Sequence, residues 1–427
     1  MKLSEVKNAI LNNSLLSSFK EVYVSDELSL KQYARYAETV DDFINIYGGA
    51  DREVSLFSAP GRSEVCGNHT DHNYGCVLAA GISLDAIAVA SKNTSNTVNI
   101  KSAGYRMDSV RCDDLSVNPD DTGRSRSLVR GVMARFVELG YNIGGFDAAT
   151  KSSVMSGSGL SSSAAFEVLV GTMLNYLYND GKISPVEIAK IAQYSENVHF
   201  GKPCGLLDQM ACSVGGFVRI DFKNPENPVI DKIDFDFSKY GYSLVIVDTK
   251  GSHSDLTDDY AAIRYEMEKA AAVFGKKVLR EVDKEEFMKN IALVREKVSD
   301  RAVLRAIHFF NDSDRVEKET QALQSCDIKE FLRLVIESGN SSYKYNQNVY
   351  SSKNPTSQAL SLALLLSEEL LSGKGAWRVH GGGFAGTIQA FVPDDEIDAY
   401  TGAMKSVFGD DCCHVLSIRP VGGARII

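Results

Sequence analysis

The stretch SGSGLSSSAA, residues 156–165, sets two glycines and three consecutive hydroxyls, Ser161, Ser162 and Ser163, ahead of an apolar run at helical spacing. Glycine lets a backbone come close to a ligand, and a helix start aims free N–H groups at an anion, so these residue types suit phosphate. No GK[ST] ending follows, which excludes a Walker loop. A flexible turn closed by a serine cap fits the same spacing. A second cluster, APGRSEVCGNHTDH at 59–72, gathers Arg62, Asn68, His69, Asp71 and His72 in a short span of turn formers. It reads as a site or a loop; as a metal centre it lacks a fourth ligand at useful spacing.

A third segment, CGLLDQ at 204–209, sets Asp208 among apolar neighbours. An acid there serves chemistry, or caps a helix and pairs with an arginine. A fourth, VHGGGFAG at 379–386, has the glycines of an esterase oxyanion loop. The chain has no G-x-S-x-G elbow, however, and the glycines follow every candidate serine. They fit better where two backbones, or a backbone and a nucleotide, come close.

In this order the four stretches resemble the galactokinase branch of the GHMP kinases. The signature APGRVNLIGEHTDYNGG is matched by APGRSEVCGNHTDHNYGCVL, and PxGxGLSSSAS by MSGSGLSSSAA. A Glu-Asn…Cys-Gly-x-x-Asp-Gln block is matched by ENVHFGKPCGLLDQ, residues 196–209, and the likeness extends to His253, to Tyr260–Arg264 and to the final glycine motif. It covers the chain from about residue 30 onward. The resemblance implies ATP- and Mg²⁺-dependent phosphorylation of the C1 hydroxyl of galactose or a close relative. Asp208 would take the hydroxyl proton and Arg62 would hold that aspartate and offset phosphoryl charge. Gly157, Ser158, Gly159, Leu160, Ser161, Ser162 and Ser163 would cradle the triphosphate, with Ser163 and Glu196 toward Mg²⁺. Asn68, His69, Asp71, Gly205 and Tyr260 would meet the sugar, closed in by Gly382 and Gly383. A non-catalytic galactose sensor is the second reading, and the unbroken GLSSSAA weighs against it.

Two departures stand out. Asn68 occupies the place of a family glutamate that accepts from the C6 hydroxyl; an amide both accepts and donates, so a galacturonate-type sugar, N-acetylgalactosamine or arabinose also comes into question. Upstream of the serine loop, RSRSLVRG at 124–131 stands where the family often has W-x-x-Y-V-K-G, so adenine stacking must be weaker or come from elsewhere.

These residues need elements to hold them. At 427 residues the chain exceeds the ~250–300 at which single cores stop growing, which points to two domains. Periodicity predicts helix through much of 1–50, strands at 54–59 and 77–90, and a helix from about 128 to 139. A strand, a glycine loop and a helix follow from 146, and later come helices at 260–274 and 357–371 and a strand at 387–392. The resemblance implies an α+β, two-domain GHMP kinase fold. A helical extension (1–50) would pack on an amino-terminal domain of the ribosomal S5 domain 2-like type (51–225), followed by a ferredoxin-like carboxy-terminal domain (226–427), with the active site between them. A net charge of −10, from 46 basic and 56 acidic residues, with no basic stripe, argues against nucleic acid as a partner. Eight cysteines without CxxC pairs suggest a reducing compartment and no disulfide framework. The polar amino terminus and the lack of a long apolar run predict a cytoplasmic protein that engages no membrane. The expected assembly is a monomer or weak homo-oligomer.

Overall fold

The computed structural model describes residues 1–49, 51–154, 159–251 and 256–427. Met155, Ser156, Gly157, Ser158 and His253 lie outside the described residues. The helical start is three helices, α1 (Leu3–Leu11), α2 (Leu16–Tyr23) and α3 (Asp26–Tyr47). Asn13 breaks the first two apart with φ 52°, and Ser25 caps the third by accepting from Leu28 N at 3.1 Å. Their apolar stripes, with Val6, Ile10, Phe19, Tyr36, Val40 and Phe43, bury against the sheet residues Leu56, Ile87, Val89 and Ala149. A buried acid pins them there: Asp85 takes Arg35 at 2.7 Å, Tyr23 at 2.6 Å and Arg419 at 3.2 Å. Burial works to raise the Asp85 pKa, but the two guanidiniums outweigh it and hold the carboxyl below its usual range.

The first sheet has eight strands: β1 (Ser55–Cys66), β2 (Cys76–Lys92), β3 (Thr97–Ser102), β4 (Met107–Arg111), β5 (Phe146–Ser152), β6 (Phe217–Asp221), β7 (Val229–Ile233) and the final β12 (Ala424–Arg425). Its order is β12-β1-β2-β5-β3-β4, with β6 and then β7 joined to the start of β2. Only β3 and β5 pair in parallel. The helices α4 (Ser125–Glu138), α5 (Ser162–Tyr178), α6 (Pro185–Tyr194) and α7 (Leu207–Val214) cover it with a core that includes Val129, Val132, Val168, Leu169 and Ile188. A second, antiparallel sheet runs β11-β8-β10-β9, from β8 (Tyr242–Asp248), β9 (Ala376–Val379), β10 (Thr387–Pro393) and β11 (Cys413–Leu416). The remaining helices are α8 (Thr257–Ala272), α9 (Lys284–Lys289), α10 (Ile291–Lys297), α11 (Asp300–Gln324), α12 (Ile328–Ser341), α13 (Ala359–Leu371) and α14 (Ile397–Phe408). Residue 225 lies in the β6–β7 hairpin, both strands of which are in the first sheet, and the carboxy terminus returns there as β12. No described helix is long and apolar enough to cross a membrane.

One element differs from its sequence reading. Residues 59–66, rich in turn formers, continue β1 instead of leaving it. Pairing with β2 survives because the register shifts between Pro60 and Arg62 and again between Glu64 and Cys66. Such irregularities are where a strand accommodates proline and glycine. Arg62 therefore stands on a strand held on the sheet rather than on a mobile loop.

Candidate active site

β1 and the start of α5 meet at Arg62. Its N–H donates to Leu160 O at 3.2 Å and its Nη1 donates to Gly159 O, so the strand clamps the end of the glycine–serine loop. The same guanidinium reaches Asp208, at the start of α7, with Nε 2.8 Å and Nη2 2.7 Å from Oδ1. Burial works against the Arg62 charge, but Asp208 and then Glu64 outweigh it and raise its pKa. The other carboxylate oxygen, Oδ2, accepts from Ser161 Oγ at 2.5 Å. That spends on the acid a hydroxyl expected to face phosphate. Ser161 sits in the left-handed region, φ 61° and ψ 55°, and makes no side-chain cap to α5, so its hydroxyl is turned from the helix end toward the acid. The Asp208 side chain remains 40% exposed, enough to be reached by a ligand.

On one side of this junction lies a cavity of about 910 Å³, bounded by β3–β4, the start of α4, the end of β5 and the start of α5, with Ser162 and Ser163 at its edge. Tyr105, Phe166 and Phe200 line it, together with Arg106, Arg124 and Arg126. Ser163 Oγ donates to Glu196 Oε1 at 3.4 Å, and Lys202 Nζ stands 3.2 Å from the same oxygen. Gln209 bridges Glu196, at 2.8 Å, to the buried Glu167, at 3.3 Å. Burial and then the neighbouring Glu196 raise the Glu167 carboxyl well above its ordinary range. A carboxylate and a hydroxyl at a helix start fit a hard cation that keeps water and phosphate oxygens in its remaining positions.

On the other side the expected sugar-facing residues gather. Asp71 follows β1 in a single helical turn and lies so near Gly205 that a side chain there would meet Asp71 Oδ2 at 2.8 Å. His69 Nε2 donates to Gly382 O at 2.9 Å, and burial pushes its pKa down to about 4. Its imidazole is thus neutral with Nδ1 left as an acceptor. Gly382 also packs under Tyr260, whose ring would lie 2.6 Å from any added Cβ and whose hydroxyl donates to Gly383 O at 2.9 Å. Asn68 differs from its sequence reading. It is fully buried, and Nδ2 donates to Glu64 Oε1 and to Gly381 O, each at 2.7 Å. Its Oδ1 accepts from Asn348 at 2.7 Å, which leaves no amide atom for a sugar.

Residues 127–216 match the family model described as GHMP kinases N terminal domain, and residues 41–92 match the galactokinase galactose-binding signature. The chain is 30% identical over 397 residues to a galactokinase of Streptomyces coelicolor, covering 91% of this chain and 98% of that protein. The chain belongs to the galactokinase family. A galactokinase of Clostridium tetani is 28% identical over 379 residues, covering 85% of this chain and 90% of that protein. The crystal structure of Lactococcus lactis galactokinase complexed with galactose superposes with TM-score 0.76 at 23% identity, covering 92% of this chain and all of that one. A mevalonate kinase superposes at 0.61 with 13% identity, over 85% of this chain and 99% of that one; both likenesses are of fold. The α+β GHMP kinase fold expected from the motifs is the fold observed.

Within this galactokinase-family frame the structure brings together Arg62, Asp208, Gly159, Leu160, Ser161, Ser162, Ser163 and Glu196, with His69, Asp71, Gly205, Tyr260 and Gly382 alongside. Several residues escaped the sequence reading. Phe166 follows Ser163 by three positions, so helical spacing alone puts it on the same edge of α5. Glu64 was in view two residues after Arg62, but only the strand shows it under Asn68. Tyr105 and Phe200 carry no motif; the fold alone brings them to the cavity.

Proposed function

We propose that this chain is a galactokinase, transferring the γ-phosphoryl group of ATP to the C1 hydroxyl of galactose by direct in-line displacement. The observation that carries this reading is the junction at the start of α5, where Arg62 and Ser161 together hold Asp208 between an open cavity and a polar corner formed by His69, Asp71 and Tyr260. Phosphoryl transfer asks mostly for positioning and charge neutralisation, which this junction supplies. The cavity takes the nucleotide, with Tyr105, Phe166 and Phe200 in place of the missing upstream aromatics. The α5 start and the loop preceding it, including Gly157 and Ser158, take the phosphates. Asp208 accepts the C1 proton as the oxygen attacks, and Arg62 holds the carboxylate while offsetting charge on the transferring group. His69 Nδ1 and the Asp71 carboxylate accept hydrogen bonds from the sugar hydroxyls. Ser163 and Glu196 would hold Mg²⁺, which supplies charge neutralisation to the phosphate oxygens when bound. The two halves of the chain close the site from either side.

The test is ADP release from ATP and Mg²⁺ across a panel of sugars, with wild type beside Asp208→Asn. Galactose-dependent release that falls ~10²–10⁴-fold in the variant, the usual contribution of a general base, with galactose binding retained, supports the assignment. Undiminished turnover in the variant removes Asp208 from the mechanism, and no sugar-dependent release from wild type removes the kinase reading.

A further inference from the structure

The group that selects the sugar need not sit where the signature places it. In the register set by Arg62 and His69, the galactokinase signature has asparagine at the position of Glu64 and glutamate at the position of Asn68. This chain carries the two in exchanged order. The structure shows what the exchange does. Asn68 is fully buried and both of its amide atoms are engaged: it donates to Glu64 and Gly381 and accepts from Asn348, with Ser342 at 3.4 Å and Asn346 at 3.5 Å on the same oxygen. Its backbone is bound as well, N–H to Asp312 Oδ2 at 3.1 Å and O from His308 Nε2 at 2.8 Å. Nothing on residue 68 is left for a ligand.

Glu64 is the reverse case. Oε1 takes Asn68 at 2.7 Å and faces the fully buried Arg378 at 3.5 Å, while Oε2 takes no hydrogen bond and is not closed off from solvent. Burial lifts this carboxyl to about 7, against the pull of Arg378, the Asn68 hydrogen bond and Arg62 and with a push from Asp71. Two of these belong to the site: Arg62 holds Asp208, and Asp71 faces Gly205. A carboxylate fixed at one oxygen and open at the other is a preorganised acceptor for a hydroxyl.

We propose that Glu64 is the specificity residue of the sugar pocket, accepting through Oε2 from the hydroxyl that a glutamate at position 68 would otherwise bind, while Asn68 serves as its internal brace. The proposal rests on the galactokinase reading and deepens it. It also reverses the expectation drawn from Asn68 alone: with an acid still in the pocket, a sugar bearing a neutral C6 hydroxyl is favoured over one bearing a C6 carboxylate, which Glu64 repels once it is ionised above about pH 7.

The experiment compares wild type, Glu64→Gln, Asn68→Glu and the reciprocal double variant Glu64→Asn/Asn68→Glu. ADP release is measured with galactose and with galacturonate at pH 8, where Glu64 is ionised, and folding is followed by thermal melting. Loss of a charged acceptor predicts a galactose KM raised ~10-fold or more in Glu64→Gln with kcat little changed, and a shift of preference toward galacturonate. The double variant is expected to recover galactose KM to within ~3-fold of wild type, because it restores one acid and one amide to the same pair. A wild type that uses galactose, beside a folded Glu64→Gln with unchanged KM and unchanged sugar ranking, overturns the Glu64 assignment alone. If Glu64→Gln does not fold, a folded double variant decides: retained galactose preference supports the exchange, and lost preference overturns it. A wild type inert toward every sugar overturns the parent reading instead.

Discussion

The two ends of the cleft are built differently. Toward the nucleotide the protein offers an open cavity of about 910 Å³, edged by hydroxyls and a helix start, with aromatic rings contributed from separate elements. Toward the sugar it is dense: Glu64, Asn68, Asn348, His308, Asp312 and Arg378 are buried, and nearly every link between them is a hydrogen bond. Phosphate is held largely by backbone N–H groups and small residues, so a motif there keeps its meaning as a pattern even where a single hydroxyl turns elsewhere. A sugar is selected by side chains inside a shared network, where one letter changes its meaning with its neighbour.

The sharpest way to break the comparison is at the seam between the two ends. Asp208 stands between them, held by Arg62 and Ser161, and Asp208→Asn is expected to cost ~10²–10⁴ in kcat, with ATP and galactose affinities nearly unchanged. A variant that instead lost affinity for only one ligand would place Asp208 on one side and remove the seam. Next in size is Asn68→Glu as a lone change. It sets a second carboxylate against Glu64 in a fully buried position, and an unpaired buried charge costs ~3–5 kcal/mol. A marked fall in Tm, relieved when Glu64→Asn is added, is the outcome to measure; a neutral melt would show that the sugar end is looser than its hydrogen bonds imply.

Much of this contrast was open to reading before any coordinates. The spacing of Ala165, Val168, Leu169 and Met173 marked α5, and the glycine–serine run ahead of it marked an anion site. Alternation marked β2 and β10, and Tyr33, Tyr36, Val40 and Phe43 marked α3. β1 was hidden past residue 59 because Pro60 and Gly61 usually end strands, and only register shifts against β2 let the chain carry them. Asn68 was visible as a departure, but its partners Asn348, Gly381 and His308 lie hundreds of residues away, and local pattern carries no information about such contacts. Ser161 was grouped with the phosphate loop for a similar reason: its left-handed backbone, which turns the hydroxyl to Asp208, leaves no mark in the motif.

Ser161 therefore offers the next, smaller test. Its hydroxyl bonds Asp208 and not the helix end, so removing it should weaken the acid's placement without touching phosphate affinity. Hydrogen bonds to charged groups contribute ~1.5–3 kcal/mol, and Ser161→Gly, which keeps the left-handed backbone comfortable, is expected to lower kcat ~10–100-fold with ATP KM unchanged. A rise in ATP KM at constant kcat would return Ser161 to the nucleotide side. Smaller again is Tyr105→Ala, on an exposed ring at the cavity wall. Aromatic contacts of ~0.5–1.5 kcal/mol predict a ~2–10-fold rise in ATP KM and no change for galactose, and an unchanged ATP KM would leave the adenine to Phe166 and Phe200.

The last test distinguishes the two ends by pH. His69 belongs to the sugar end, where burial holds its pKa to about 4, against ~6.5 for an unfolded histidine. Between those values the unfolded chain binds a proton that the folded one refuses, so the folded state loses stability as pH falls from about 6.5 toward 4. Above pH 6.5 both states carry the neutral ring, and His69 contributes no slope. The same neutrality keeps Nδ1 available as an acceptor throughout that range, so galactose KM should show no titration from this ring between pH 5 and 8. Replacing the ring with glutamine removes the proton and its linkage, and the Tm of His69→Gln should fall less steeply than that of wild type from pH 6.5 to 4.5. Parallel Tm profiles would mean that His69 takes up its proton in the folded state. The imidazole would then donate to the sugar rather than accept, and the acid end of the pocket would rest on Glu64 and Asp71 alone.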